Sequence, residues 1–537
     1  MINGGIYTTI VYKKDMRSGI TYAYDSKSHW DKEKQRSRST QRLIGRVDPV
    51  TGEIVPTDGR NRKAKAKQPV KPSQDFSHKY YGATYLLTQL AVKTGLVQDL
   101  QACFGNLTDM ILSIAEYLVL EPESTLYRFN HWQNMNVHPA NQPISSQQSS
   151  DLFGHITEDQ ISNFFRRQSR RRIPDEYWAY DSTLISSYSQ GLKQVRYGHN
   201  KEHDPLAQLN LLLVYGEQSG LPFYYRKLSG SIPDVKTVMK LLDDLEALDI
   251  DKTKLVMDRA FYSKANVDAL LGQHLKFLIG IRTGIKLVRT NLLNHMEELH
   301  QFQNCDDNSG VYGTTVMTEW SYEQVRRYKQ DTLQEKRRVY LHLYFNNDRH
   351  AEDVRVLDKR LGELYHELQT RQHLEAHAKD YAKFFEVKTT PKRGRQVTPK
   401  DETIKQAKQF CGYWALLTHE KMTASQALHI YRSKDIIEKG FGNIKDRLNG
   451  RRLLVSSEKS LNGKIFVQFI GLILVAGVNQ VMHSKQLYRQ YSLQQLLDRL
   501  DEVEQFTAPG RAPKVREVQA DQAGIYDSFD IINPVSL

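Results

Sequence analysis

The stretch "YRSKDIIEKGFGNIKDRL", residues 431–448, carries two stripes when wound as a single helix. At about 100° per residue with Tyr431 as origin, Lys434 falls near ~300°, Glu438 near ~340° and Lys445 near ~320°. Ile437, Phe441, Ile444 and Leu448 occupy the neighbouring stripe, between about 220° and 280°, with the spacing of a core-facing surface. A quartet of one carboxylate, two ammonium groups and a phenol therefore borders the buried edge of the helix. Taken alone, this stripe reads most simply as a solvated face with a Glu–Lys pair.

The rest of the chain decides whether that reading suffices. Its 537 residues are enough for about three or four domains, and 39% are apolar, with 29 Tyr and 19 Phe to fill cores. Lys and Arg total 75 against 62 Asp and Glu, a net charge of +13 that favours a polyanion partner. The charge is clustered. Arg60 to Lys71 holds six basic residues and no acid, as a solvated linker or a polyanion contact does. "RRQSRRR" places Arg166, Arg167, Arg170, Arg171 and Arg172 at the end of an apolar helical pattern (Ile161, Phe164, Phe165), where phosphate contacts are expected.

Cys103, Cys305 and Cys411 are far apart and form no CxxC, which argues against a zinc ribbon or a disulfide framework and suits a reducing cytoplasm. His199 and His203 have a metal-like spacing without a partner pair. No apolar signal region opens the sequence. The most apolar run, "IFVQFIGLILVAGV" at 465–478, is too short to span a bilayer and contains Gln468, so a buried core helix is expected.

The texture changes along the chain. Residues 1–58 read as a β region, with Tyr- and β-branched-rich runs and the turn "DPVTG". Residues 59–76 read as a basic linker, and 77–172 as a helical region, either a DNA-contacting module or a packing adaptor. From 173 to 283 the pattern is α/β. Residues 284–408 break that rhythm and read as an inserted subdomain, with a β-like run, a charged helix and a basic loop. Residues 409–485 resume the α/β domain, and 486–537 read as a polar tail.

Two aspartates belong with Glu438. Asp181 sits in the strand candidate "YWAYDSTLIS", sharing a face with Ala179, Thr183 and Ile185. Asp258 closes the apolar run "KLVM", at the rim of a sheet where α/β sites gather. Each acid alone reads as a loop cap. Together, an acid on an early strand, one at the tip of a buried strand and one on a later helix are a set that can converge on divalent metal. Two Mg²⁺ ions, with Mn²⁺ as the alternative, take oxygen ligands and suit in-line phosphoryl transfer. Lys434 and Lys445 then hold phosphates of an entering strand, and Tyr431 donates to a phosphate or stacks on a base. Trp320, Trp414 and Tyr262 are further stacking candidates, each with core packing as the alternative.

"YDSTLIS", "VMDRAFYS" and "YRSKDIIEKGFGNIKDRL" closely resemble the DDE transposases of bacterial insertion sequences. The likeness is strongest to the group named after insertion sequence four. Its signature is Tyr, Arg, Glu and Lys separated by two, three and six residues, and Tyr431, Lys434, Glu438 and Lys445 reproduce the spacing. Lys434 stands where that signature has Arg, and Lys lacks the bidentate fork. Arg432 lies about 160° round the helix from Lys434's side, too far to substitute on a continuous helix.

The resemblance implies an RNase H-like core, a mixed sheet flanked by helices and interrupted by a β-rich insertion between Asp258 and Glu438. It implies that Asp181, Asp258 and Glu438 are catalytic and hold two Mg²⁺ ions. It also implies DNA partners, namely terminal inverted repeats and target DNA, and a homodimer that completes each site in trans. Two other readings remain open on the residues: an RNase H-like nuclease without strand transfer, and a non-catalytic DNA-binding protein derived from a transposase.

Overall fold

The computed structural model describes residues 8–31, 36–57, 77–122, 124–189, 191–197, 206–248, 250, 253–306, 309–325, 332–370, 372–390, 394–448, 450, 455 and 457–535. The basic linker expected at 59–76, and His199 and His203, lie outside the described residues. The chain divides into two compact units, Met1–Asp75 and Phe76–Leu537.

In the first unit, β1 (Thr8–Lys14), β2 (Thr21–Asp31), β3 (Arg36–Val47) and β4 (Ile54–Val55) form an antiparallel sheet in that order. Aspartate side chains shape two of its turns. Asp15 Oδ1 accepts from the Arg17 N–H at 2.8 Å, and Asp48 Oδ1 accepts from the Val50 N–H at 2.8 Å.

The second unit opens with β5 (Ser77–Tyr80) and six helices. These are α1 (Gly82–Lys93), α2 (Leu96–Phe104), α3 (Thr108–Leu120), α4 (Phe129–Met135), α5 (Ser146–His155) and α6 (Glu158–Arg170). Capping boxes start two of them, Ser145 with Gln148 for α5 and Thr157 with Gln160 for α6.

The nine described strands of the main sheet follow. They are β6 (Tyr177–Ser187), β7 (Ala207–Gly216), β8 (Pro222–Ser229), β9 (Lys254–Met257), β10 (Lys276–Ile281), β11 (Cys305–Asp306), β12 (Val311–Val325), β13 (Thr332–Asn346) and β16 (Tyr413–Thr418). Their order is β11-β12-β13-β16-β10-β9-β6-β7-β8. β6, β9 and β10 run parallel at its centre, and α7 (Thr237–Ala247), α8 (Lys264–Gly272) and α9 (Lys286–Leu299) follow β8, β9 and β10 in the chain. The result is a mixed α/β fold with a large mixed sheet and a small N-terminal β region.

Residues 284–408 divide in two. β12 and β13 extend the main sheet, with β13 paired to β16 from Tyr340↔Thr418 to Phe345↔Tyr413. After β13 come α10 (Asn347–Thr370), α11 (Ala378–Phe384), β14 (Phe385–Thr390), β15 (Gly394–Pro399) and α12 (Asp401–Gln409). These elements have their own small core, in which Leu364, Leu368 and Phe384 are buried. The stretch "TTPKRGRQVTPK", expected as a loop, forms the β14–β15 hairpin on either side of residues 391–393.

Three helices carry the chain past β16: α13 (Ala424–Ser433), α14 (Asp435–Gly442) and α15 (Glu458–Ser484). Apolar on every side, α15 is buried along most of its length, as expected for its 465–478 run. It packs against α1, α3 and α5, so the helical region and the sheet share one core. Gln468, the polar break in that run, donates from Nε2 to the Leu448 carbonyl at 2.9 Å and so stays satisfied while buried.

Within the segment expected as a polar tail, residues 486–535 carry elements of their own. α16 (Leu493–Asp501) opens with the Ser492–Gln495 capping box and buries Leu493, Leu496, Leu497 and Leu500. β17 (Glu504–Thr507) pairs with β5 and with β18 (Lys514–Val515). α17 (Ala520–Ser528) returns Tyr526, whose hydroxyl donates to the Gly82 carbonyl at 3.0 Å. The overall polarity of the segment hid a short leucine stripe long enough to pack.

Candidate active site

Strand register brings the two aspartates together. On the parallel pair β6 and β9, Tyr180 lies opposite Met257. Asp181 and Asp258 are each one residue further on, so the register directs them to adjacent positions, Asp258 just past the end of β9. Their faces follow from alternation. Tyr180 and Ser182 turn toward α7, with Tyr180 Oη donating to Thr237 Oγ1 at 2.8 Å and Ser182 Oγ to Asp234 Oδ1 at 2.6 Å. Ala179 and Asp181 therefore share the other face.

That other face receives α14. Tyr215 on β7 pairs with Ala179, and its ring lies against Gly440 of α14. A Cβ on Gly440 would come within 2.2 Å of the Tyr215 hydroxyl oxygen, so glycine permits the close approach. The helix bearing Glu438 is thereby seated on the aspartate face.

The single helix expected across 431–448 is divided. α13 ends at Ser433, Lys434 is its C-cap, and α14 begins at Asp435. After Gly442, residues Asn443–Arg447 form a π-helical turn, closed by the Leu448 N–H donating to the Asn443 carbonyl at 2.9 Å. Such turns occur often at functional sites. The wheel positions derived for a continuous helix therefore fail for Lys445, which lies in the wider turn. Ile437, Phe441, Ile444 and Leu448 are buried, as their stripe predicts.

Tyr431 is the link between the helices and the strands. Its hydroxyl donates to Asp258 Oδ1 at 2.5 Å. Burial raises the Tyr431 pKa, and the neighbouring Asp258 and Asp181 charges raise it further, so the phenol keeps its proton. Burial alone would raise the Asp258 carboxyl. The Tyr431 hydroxyl, the Arg259 backbone N–H and the charges of Lys434 and Arg259 outweigh it and hold the carboxyl below its ordinary value. Lys434 Nζ sits 5.3 Å from the Tyr431 ring centroid and 3.6 Å from Glu438 Oε1.

The structure thus brings together Asp181, Asp258, Tyr431 and Lys434, and places Glu438 on the adjoining helix, where its side chain is 65% exposed. Among the described residues no three His, Cys, Asp or Glu side chains are gathered closely enough to hold a metal ion. The two aspartates alone offer an all-oxygen donor pair, one of them held ionised, which suits a hard divalent cation.

The arginine run behaves differently from its expected role as a phosphate-contacting helix end. Arg171 donates from Nε to Asp99 Oδ2 at 2.6 Å, and Asp99 is buried. Arg172 donates to the Pro222 carbonyl at 2.9 Å and lies over the Phe223 ring, and its burial lowers its pKa to about 10. Arg166 reaches the Ala247 carbonyl at 3.0 Å. These three hold α6 to α2, α7 and β8. Arg167, 3.8 Å from Asp99, and Arg170 have exposed side chains. Trp320 is buried and donates to Asp268 Oδ1 at 2.7 Å, which makes it a core residue.

Sequence reasoning missed Gly280. A Cβ there would come within 2.9 Å of both the Arg259 backbone nitrogen and the Tyr431 hydroxyl oxygen. A glycine inside the apolar strand "KFLIGIR" is the signal that marks such an approach. Gly280→Ala should displace Tyr431 from Asp258 and lose that charge-assisted bond, about 1.5–3 kcal/mol of stability. A thermal melt beside the native protein checks this; an unchanged melting temperature would show that the hydrogen bond contributes nothing to the fold.

A family profile described as "Transposase DDE domain" matches residues 175–474, more than half of the chain, a span that includes Asp181, Asp258, Gly280, Tyr431, Lys434 and Glu438. No curated protein matches. Among solved structures, the piggyBac transposase synaptic complex with hairpin DNA is similar at a TM-score of 0.32 and 10% identity, over 78% of this chain and 70% of that one.

Proposed function

Because the chain belongs to the transposase DDE-domain family, we propose that it is the DNA transposase of an insertion sequence, with Asp181, Asp258 and Glu438 as its catalytic carboxylates. The observation that carries this reading is the register that sets Asp181 beside Asp258, with the Tyr431 hydroxyl on Asp258 and α14 seated on the same face. An acid pair at the ends of adjacent parallel strand runs, beside a helix-borne acid and Lys434, suits phosphodiester chemistry.

Asp181, Asp258 and Glu438 would hold two Mg²⁺ ions, or Mn²⁺. When bound, such ions neutralise charge on the attacking and leaving oxygens. Glu438, whose side chain is exposed and paired with Lys434, would leave that ion pair to join the two aspartates. Water attacks the phosphorus at an element end, the P–O3′ bond breaks, and a 3′-hydroxyl is released. That hydroxyl attacks a target phosphodiester, forming a new P–O bond as the target's own 3′-oxygen leaves. Neither step needs a protein nucleophile. Tyr431, Lys434 and Lys445 position the cleaved strand, and exposed Arg167 and Arg170 contact flanking phosphates. The protein acts on the DNA of the cytoplasm as a homodimer bridging two terminal repeats, over an RNase H-like core.

The test uses labelled DNA from just outside the gene, with Mg²⁺ and with EDTA. Nicking at a defined end, joining to a second duplex, and loss of both in EDTA are expected. Cleavage without joining would favour a nuclease. Binding without cleavage would defeat the proposal.

A further inference from the structure

A cleft of ≈ 700 Å³ opens beside Asp258 and Tyr431. Four arginines from four different segments line it: Arg259 after β9, Arg282 after β10, Arg349 on α10 and Arg432 on α13. Asp258 is the one carboxylate in its lining, so the cleft carries a surplus of three positive charges. Among the described residues Arg259, Arg282 and Arg432 make no ion pair, and Arg349 has only Asp353, with Nε 3.7 Å from Oδ2. All four are exposed. Guanidinium groups converging on a cavity without matching acids are a receptor for anions, and their planar forks suit phosphate.

We propose that this cleft binds the sugar–phosphate backbone of the DNA strand entering the site, with Arg349 and Arg432 as its guanidinium clamp. The assignment rests on the DNA-transposase reading above and adds residues to it. The Trp414 ring in the cleft wall favours backbone over base as the occupant. It is already stacked on Tyr344, with centroids 5.3 Å apart, and the Arg349 guanidinium lies 4.8 Å from its centroid. With Tyr344 and Arg349 both already against its ring, Trp414 offers a base less surface to stack on, whereas the stacked guanidinium is held in orientation for a phosphate. The break at Lys434 explains the position of Arg432. On a continuous helix Arg432 points away from Glu438's stripe, but here the end of α13 turns it into the cleft lined by Tyr431 and Asp258. Lys434 meanwhile is engaged with Tyr431 and Glu438.

The experiment measures binding of the full chain to a duplex of random sequence across a range of salt, without divalent metal. Removing two phosphate contacts should make the slope of log K against log salt shallower by about 1.8. Arg349→Gln/Arg432→Gln should show that change and bind at least about tenfold more weakly at 0.1 M salt. Lys336→Gln/Lys359→Gln, exposed cations outside the cleft, should match the native protein. Arg349→Lys/Arg432→Lys should keep the native slope and lose affinity, because charge remains without the fork. Arg432→Gln alone, off the Trp414 stack, gives half the slope change if the double variant fails to fold. Equal slopes for the cleft and control variants overturn the clamp while leaving the transposase reading standing. Failure of the native protein to bind DNA at all overturns both.

Discussion

Asp258→Asn should abolish DNA cleavage, with a rate loss of at least about a thousandfold, or about 4 kcal/mol of transition-state stabilisation. Asparagine keeps the size of the side chain and an oxygen to accept the Tyr431 hydroxyl, so the contact at 2.5 Å has a substitute. What it removes is the charge. The native site works to keep that charge: burial opposes it, and Tyr431, the Arg259 N–H, Lys434 and Arg259 together overcome the burial. A carboxyl held below its ordinary value of 3.8 contributes stability that is present above that pH and is lost as pH falls through the lowered folded value. Near pH 7 the variant therefore loses attraction to two cations. It also loses repulsion from Asp181 on the next strand, and the two effects offset. The melting temperature should stay within about 3 °C of native. A cleavage assay and a melt on the same preparation decide the matter. Wild-type cleavage in a folded variant would remove Asp258 from the chemistry.

Parts of this site were legible in the sequence because their causes are local. The apolar runs ending in Asp181 and Asp258 become β6 and β9, since only central strands bury both faces. The stripe of Ile437, Phe441, Ile444 and Leu448 is buried because helical periodicity survives the break. Other parts depend on partners far along the chain. Tyr344 meets Trp414 across β13 and β16, a pairing that no window of the sequence contains. The helix break at Lys434 and the π turn after Gly442 accompany the seating of Gly440 on Tyr215 and the Gln468 hydrogen bond to Leu448, contacts with distant parts of the chain. Arg171 and Arg172 looked like a phosphate surface because charge runs are usually solvated, and the buried Asp99 that recruits Arg171 lies on a different helix. Arg349 and Arg432 showed no common pattern, since only the fold brings α10 and α13 to one cleft.

Glu438→Gln should also stop cleavage, by at least about a thousandfold, and it separates the two readings of the 431–448 stripe. On the structure alone, Glu438 is a solvated face residue. Its side chain is 65% exposed and its ion pair with Lys434 is an i, i+4 contact at 3.6 Å. Such pairs contribute about 0.3–0.5 kcal/mol, so glutamine should leave the melting temperature unchanged. A solvated face would also leave cleavage unchanged. The case for a larger role lies in how the helix is fixed. Gly440 gives up a side chain so that α14 can lie against Tyr215, and Tyr215 pairs with Ala179, two residues from Asp181. Beyond it, buried Gln468 ties down the Leu448 carbonyl at the end of the π turn. A surface helix with no task beyond covering the sheet has no need of either constraint, whereas a carboxylate that works with two aspartates needs its backbone held still. Loss of cleavage with an unchanged melt is the signature of that task. Retained cleavage would return the stripe to an ordinary solvated face and leave Asp181 and Asp258 to act without it.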